Sequence, residues 1–148
     1  MLNIGDRMPD FEVVDQDGNK VSSNDLAGKR TIIYFYPKDN TSGCTAEACN
    51  LRDNYAALVA RGYNVIGVSK DSAASHRKFA DKYELPFTLL SDTSTQMLQA
   101  FGAWGEKKMY GKTVMGTIRR TFIFDESGIL ERIIEKVDTK NHASQILQ

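Results

Sequence analysis

The sequence predicts an α/β fold, a mixed central sheet with helices on both faces and an N-terminal β-hairpin. Three observations lead there. Thr31-Ile32-Ile33-Tyr34-Phe35-Tyr36 is an unbroken β-branched and aromatic run, and a run without alternation fits a strand buried on both faces. Strand-like and helix-like segments then alternate, which implies a parallel central portion. Near the start, Phe11 to Val14 and Lys20 to Ser22 flank Asp17-Gly18, a good two-residue hairpin turn.

The elements follow in order. Pro37 ends the first apolar run, because it disfavours helix at Tyr36 and cannot donate to a ladder. From about Ser42 to Arg61, Cys44, Ala48, Leu51, Tyr55, Leu58 and Val59 fall on one helical face. Gly62 follows as a stop. Asn64 to Ser69 reads as a second central strand. Asp71 and Ser72 can cap a helix reaching about Tyr83. Thr88-Leu89-Leu90 is a short strand and Ser94 to Phe101 a short helix. Thr117 to Asp125 and Ile129 to Val137 are strands around the turn Asp125-Glu126-Ser127-Gly128, and Asn141 to Gln148 begins a last helix. Residues 1–148 are expected to form one domain.

Composition narrows the function classes. Lys+Arg and Asp+Glu are both 19, so no net field attracts polyanions, and a dedicated nucleic-acid binder is disfavoured. No uncharged apolar run is long enough to span a membrane. The first residues lack a basic segment followed by an apolar one, so an intracellular, cytoplasmic protein is expected. Two cysteines in a reducing compartment suit redox chemistry better than a structural disulfide.

In such sheets reactive groups sit beyond the carboxyl ends of the strands, and the segment Pro37 to Cys44 lies there. Thr41 or Ser42 is the natural N-cap, which sets Cys44 in the first helical turn. Unpaired backbone N–H groups and the helix dipole favour an anion at that place. The thiolate is the reactive form of cysteine, and helix N-termini are among the settings that promote it. The bland alternative is that Cys44 is a small buried hydrophobe; the first-turn position, the polar loop and Cys49 five positions later argue against it. Cys49 is either an inert helix residue or a partner of Cys44. A metal site is disfavoured, since the chain has only His76 and His142 besides its two cysteines and neither is near them in sequence. Both histidines are expected at the surface, and no cofactor is expected. Glu47, one turn after Cys44, reads as a charge complementing the helix dipole.

With these residues in place, the chain resembles the peroxiredoxins. Pro37, Thr41 and Cys44 match their Pro-x-x-x-Thr/Ser-x-x-Cys motif. Gly43-Cys44-Thr45-Ala46-Glu47-Ala48-Cys49 resembles the branch called bacterioferritin comigratory protein or peroxiredoxin Q. The resemblance extends to Gly5-Asp6-Arg7-Met8-Pro9-Asp10-Phe11, to Trp104-Gly105-Glu106-Lys107 with Tyr110-Gly111-Lys112, and to Gly116-Thr117-Ile118-Arg119-Arg120-Thr121-Phe122. One departure is Ser42, where the branch often has Pro.

The resemblance implies a thioredoxin-like fold and a monomer that reduces hydrogen peroxide and organic hydroperoxides in antioxidant defence. Cys44 would be the attacking residue and Cys49 the resolving one, with thioredoxin reducing the disulfide between them. It also implies that Thr41 and Arg119 serve as donors to the reacting peroxide and that Pro37 shields the thiolate.

The chemistry shows why such donors are needed. A cysteine with pKa about 8.5 is only about 3% thiolate at pH 7, so full ionisation gains roughly 30-fold, or about 2 kcal/mol. Enzymatic acceleration requires more, so stabilisation of charge on the leaving oxygen must dominate. Two other readings stand beside this one. A thiol–disulfide oxidoreductase on the same fold would want Cys-x-x-Cys rather than the Cys-x-x-x-x-Cys present. A non-enzymatic binding domain would have inert thiols.

Overall fold

The computed structural model describes residues 2–148. The chain starts with the hairpin β1 (Glu12–Asp15) and β2 (Lys20–Ser22), then a 3₁₀ turn over Ser23–Leu26. Next come β3 (Arg30–Phe35), α1 (Ser42–Asp53), α2 (Tyr55–Ala60), β4 (Tyr63–Ser69), α3 (Ala73–Tyr83), β5 (Thr88–Ser91) and α4 (Gln96–Phe101). A second hairpin, β6 (Trp104–Met109) and β7 (Lys112–Thr117), precedes β8 (Arg120–Phe124), β9 (Leu130–Ile134) and α5 (His142–Leu147).

Seven strands form one sheet in the order β2-β1-β5-β4-β3-β8-β9. β3, β4 and β5 run parallel, and β1 and β8 add to them antiparallel. The mixed sheet expected from the sequence is therefore present, with β3 in its interior. β3 sends its side chains alternately into two cores. Ile32, Tyr34 and Tyr36 join Cys44, Ala48, Leu51, Phe79 and Ile146 on one face. Ile33 and Phe35 join Leu98, Phe101 and Phe122 on the other. Phe101 anchors that second core, with the rings of Phe35, Phe122 and Phe124 at 5.3, 5.8 and 6.0 Å. Such pairs each contribute about 0.5–1.5 kcal/mol beyond area burial. Gly67 of β4 is required opposite Tyr34, because a Cβ there would lie 2.8 Å from the tyrosine ring.

Several expectations need correction. The single helix expected from Ser42 to Arg61 is two, broken at Asn54. The Asn54 side-chain amide donates to the Asn50 carbonyl at 2.8 Å, and such local bonds compete with the helix ladder. Val59, expected on the buried face, is about half exposed beyond the break. The strand expected from Thr117 to Asp125 is divided, since β7 pairs with β6 while β8 pairs with β3 and β9. Ile118 and Arg119 are the link between the two sheets. The β6–β7 hairpin is an addition to the strands that the sequence predicts. Tyr110 and Gly111 both have positive φ at its two-residue turn, the geometry of a primed turn. Both histidines expected at the surface are fully buried. Among the described residues, no helix is long and apolar enough to cross a membrane.

Candidate active site

β3 ends in the middle of the sheet and delivers the chain to Pro37, which is half-buried. The loop to α1 turns at Asn40, whose φ of 61° is a left-handed conformation that asparagine tolerates better than most residues. A buried network holds this loop from behind. Asp39 accepts hydrogen bonds from the Tyr36 hydroxyl at 2.6 Å and the Ser75 hydroxyl at 2.8 Å. His76 Nδ1 of α3 lies 2.7 Å from the same carboxylate, and its Nε2 donates to the Leu90 carbonyl at 2.9 Å. The Asp39 backbone N–H donates to Asp71 at 2.8 Å.

Thr41 occupies the N-cap position of α1 without making a side-chain cap bond. Its hydroxyl donates to the Lys38 carbonyl at 2.8 Å instead. The first ladder bond is the Thr45 N–H to the Thr41 carbonyl, so the earlier amides, those of Gly43 and Cys44 among them, have no partner within the helix. Cys44 is in this first turn and is buried.

Arg119, from the link between β7 and β8, covers the sulfur. Its Nη2 lies 3.2 Å from Cys44 Sγ, and its Nη1 donates to Glu47 Oε1 at 2.5 Å. The guanidinium passes close over the start of α1, where a Cβ on Gly43 would lie in van der Waals contact with Nη2 at 3.4 Å. Arg120 is directed elsewhere and donates to the Gly102 carbonyl.

Glu47 is fully buried, and its Oε2 has no hydrogen-bond partner. The other group able to carry positive charge nearby is His142 of α5, with Nε2 3.6 Å from that oxygen. Burial pushes the Glu47 carboxyl up to about 7, and the attraction of Arg119 only partly offsets this. Burial also lowers the pKa of His142, although its bond to Gln145 opposes the shift. For Arg119 burial disfavours the cation, but Glu47 and Cys44 outweigh it and the pKa rises.

The structure thus brings Cys44 and Arg119 together. Pro37 and Thr41 lie in the same loop, though the Thr41 proton is engaged by Lys38. Cys49 lies within the same helix and is half-buried while Cys44 is buried. Sequence reasoning misses the buried pairing of Glu47, which reads there as a charge complementing the helix dipole, and the burial of His142, His76 and Asp39. For Glu47 a signal was available, because it borders the buried face defined by Cys44, Ala48 and Leu51. For His142 no local signal existed, since α5 packs against α1 only through tertiary contact. Trp104, in one of the segments that carry the resemblance, packs half-buried against the second core with Lys70 Nζ 5.7 Å from its ring centre.

A first-turn thiol under an arginine, set at the end of a central parallel strand, defines the class of thioredoxin-fold peroxidases. The chain matches the AhpC/TSA family over residues 4–133 and belongs to that family. Within the family it falls among the peroxiredoxins of the bacterioferritin comigratory protein branch. It is 44% identical over 146 residues to Peroxiredoxin Bcp of Escherichia coli, covering 99% of this chain and 94% of that protein. It is 42% identical over 147 residues to Peroxiredoxin Bcp of Bacillus subtilis, with the same coverage of 99% and 94%. Among solved structures, Xanthomonas campestris bacterioferritin comigratory protein superposes with a TM-score of 0.87 at 34% identity, covering 93% of this chain and 87% of that one. A Xylella fastidiosa PrxQ mutant superposes with a TM-score of 0.92 at 29% identity, covering 99% and 94%.

Proposed function

We propose that this chain, acting as one domain, reduces hydroperoxides with Cys44 as the attacking thiolate. The observation that carries the reading is the 3.2 Å approach of Arg119 Nη2 to Cys44 Sγ in the first turn of α1. The thiolate attacks one peroxide oxygen. An S–O bond forms, the O–O bond breaks, and the second oxygen leaves as hydroxide or alkoxide and takes up a proton. The guanidinium and the free amides of Gly43 and Cys44 supply preorganised positive charge where the leaving oxygen gains its electron pair. Because the Thr41 proton is engaged, its remaining capacity is that of an acceptor, suited to orienting the O–H of the bound peroxide. Pro37 keeps bulk water off the sulfur.

The product is a sulfenic acid at Cys44. With two cysteines in the chain, Cys49 is the one intramolecular partner. Its sulfur attacks the sulfenic sulfur and water leaves, giving a disulfide. On a continuous helix, residues five apart lie about 7.5 Å along the axis and about 140° around it, so their Cα atoms are roughly 8.6 Å apart. Disulfides rarely exceed about 6.8 Å between Cα atoms, so the first turns of α1 must unwind for the bond to form. A thioredoxin-type dithiol then reduces the disulfide. The reading is of a cytoplasmic, monomeric enzyme, and a dithiol reductant is supported by the chemistry, since an attacking thiol must be returned to its reduced form after every turnover.

The test is hydrogen peroxide consumption coupled to a thioredoxin system. Wild type should turn over and Cys44→Ser should not. Substantial turnover by Cys44→Ser would overturn the assignment. The spectrum of organic hydroperoxides follows from the same assay. The bacterioferritin comigratory protein of Xanthomonas campestris has alkyl peroxide reduction activity, which makes alkyl hydroperoxides the first to try.

A further inference from the structure

Arg119 contributes one positive charge and touches two groups that can each become an anion. Its Nη2 meets Cys44 Sγ at 3.2 Å and its Nη1 meets Glu47 Oε1 at 2.5 Å. Glu47 is not a surface residue sharing its charge with water, because it is fully buried and its Oε2 lacks a hydrogen-bond partner. A carboxylate left in that state is costly, whereas a neutral carboxyl is much less so.

The groups facing Glu47 from the surrounding elements decide where compensation can come from. On its own helix there is Cys44. From β3 there is the Tyr34 phenol, whose pKa burial raises first and Glu47 and Cys44 raise further. From the β7–β8 link there is Arg119, and from α5 His142. The His142 tautomer follows from its neighbours. Gln145 Oε1 accepts from the Asp138 N–H at 3.0 Å, and its Nε2 donates to the Lys136 carbonyl at 2.9 Å, so the amide orientation is fixed. His142 Nδ1, 2.8 Å from that Oε1, must then carry a proton. In the neutral ring Nε2 accepts from the Thr121 hydroxyl of β8 at 2.7 Å. All polar positions of the neutral imidazole are thereby satisfied, and it lends Glu47 no charge. One guanidinium is left to serve two acids.

We propose that Cys44 and Glu47 share a single negative charge across Arg119, so that Glu47 holds a proton while Cys44 is a thiolate and releases it when Cys44 is oxidised. This rests on Cys44 being the attacking residue. The step balances: thiolate, protonated Glu47 and hydrogen peroxide become sulfenic acid, ionised Glu47 and water. The sulfur loses two electrons, the O–O bond takes them, and the proton needed by the leaving hydroxide is matched by the one Glu47 gives up. Glu47 acts through Arg119, and is a positioning residue for charge rather than a group that touches peroxide. Once Cys44 is a neutral sulfenic acid, the whole guanidinium charge is free to hold the Glu47 carboxylate.

The experiment counts protons. Prereduced protein carrying Cys49→Ser, so that oxidation stops at the sulfenic acid, is mixed with one equivalent of hydrogen peroxide in weak buffer near neutral pH. Net proton uptake is read with an indicator dye. The parent should take up almost no proton, and the same protein with Glu47→Gln should take up about one per oxidation, because its thiolate reaction has no internal source. Infrared difference spectra of the parent give a second readout that needs no Glu47 variant to fold. The stretch of a protonated carboxyl should disappear on oxidation and a carboxylate band should grow. Equal proton uptake with and without Glu47→Gln, or no loss of the carboxyl band, overturns the proposal. A count that changes with His142→Gln but not with Glu47→Gln would put the proton on the imidazole and overturn it equally. Peroxide consumption by Cys44→Ser would instead overturn the assignment of Cys44 itself.

Discussion

Glu47 and Arg119 meet in a buried hydrogen bond, and the second terminal nitrogen of the same arginine rests on the sulfur of Cys44. The two residues are 72 positions apart in the chain, and the thiol's charge environment is set by their meeting. Activity, stability and pH dependence are tied together at this point.

Arg119→Ala should slow the second-order oxidation of prereduced Cys44 by roughly 10²–10³, or about 2.7–4 kcal/mol, the usual cost of losing one preorganised donor. Stopped-flow measurement across pH checks this. If the loss vanishes once rates are corrected for thiolate fraction, Arg119 acts on ionisation alone and the transition-state role is wrong.

Thr41→Ser should keep most of that rate and Thr41→Val should lose it, because only the oxygen can meet the peroxide O–H. Equal rates for the two variants would show that the hydroxyl does not matter.

Stability should respond to Glu47 with a definite sign. The folded-state pKa of about 7 lies above the ordinary 4.5, so the folded protein binds this proton more tightly. Its contribution is fully present below about pH 4.5 and is lost as pH rises through 7, by about 3 kcal/mol at most. His142 has the opposite sign, because its lowered pKa costs stability as pH falls below its ordinary 6.5. Glu47→Gln removes the first effect and leaves the second. Relative to wild type, the variant should gain stability between about pH 5 and pH 7 and level off above that in urea titrations; a constant difference across that range would contradict the raised pKa.

The loop before Cys44 should depend on the buried Asp39–His76 pair. Asp39→Asn or His76→Leu should cost roughly 3 kcal/mol, since each leaves a buried partner unmatched. The peroxidase rate of the protein that remains folded should also fall, because Asp39 tethers the segment between β3 and α1 through Tyr36, Ser75 and His76. Thermal unfolding paired with single-turnover oxidation separates the two effects. Unchanged unfolding would show that the network is dispensable.

Oxidation should open the start of α1. Wild type treated with one equivalent of peroxide should form an intramolecular Cys44–Cys49 disulfide and lose amide-exchange protection across residues 42–52. Cys49→Ser should complete the first oxidation and then overoxidise readily when peroxide is in excess. A disulfide-linked dimer, or full protection in the oxidised protein, would rule out local unwinding.

Much of the molecule could be read directly from the chain. The run Thr31 to Tyr36 announced a strand buried on both sides, because consecutive apolar side chains need two cores, and β3 has them. Asp17-Gly18 announced the first hairpin, but the two-residue turn expected there is a longer loop between Asp15 and Lys20, in which the Gly18 N–H closes on the Asp15 carbonyl and Gly18 alone of the pair has positive φ. The loop ending at Cys44 announced a thiol at a helix start, because proline, a capping residue and helical periodicity are local properties. Other features were beyond local reading. Asn54 breaks α1 from α2 through one side-chain bond. Residues 104–117 form a separate hairpin, so the single strand expected from Thr117 is cut at Arg119.

The sequence by itself determined the sheet's central strand, the place of a thiol in the first turn of a helix and the five-residue spacing of the two thiols, since each follows from periodicity and neighbours along the chain. The tertiary structure alone decided that Glu47 and His142 are buried, that Arg119 rather than Arg120 reaches the sulfur, and that Asp39 and His76 brace the loop from behind. Charge and burial at a site are sums over groups from α1, α3, α5 and the β7–β8 link. Those groups become neighbours only when the chain folds, and their effects on one another depend on distances that no local pattern encodes.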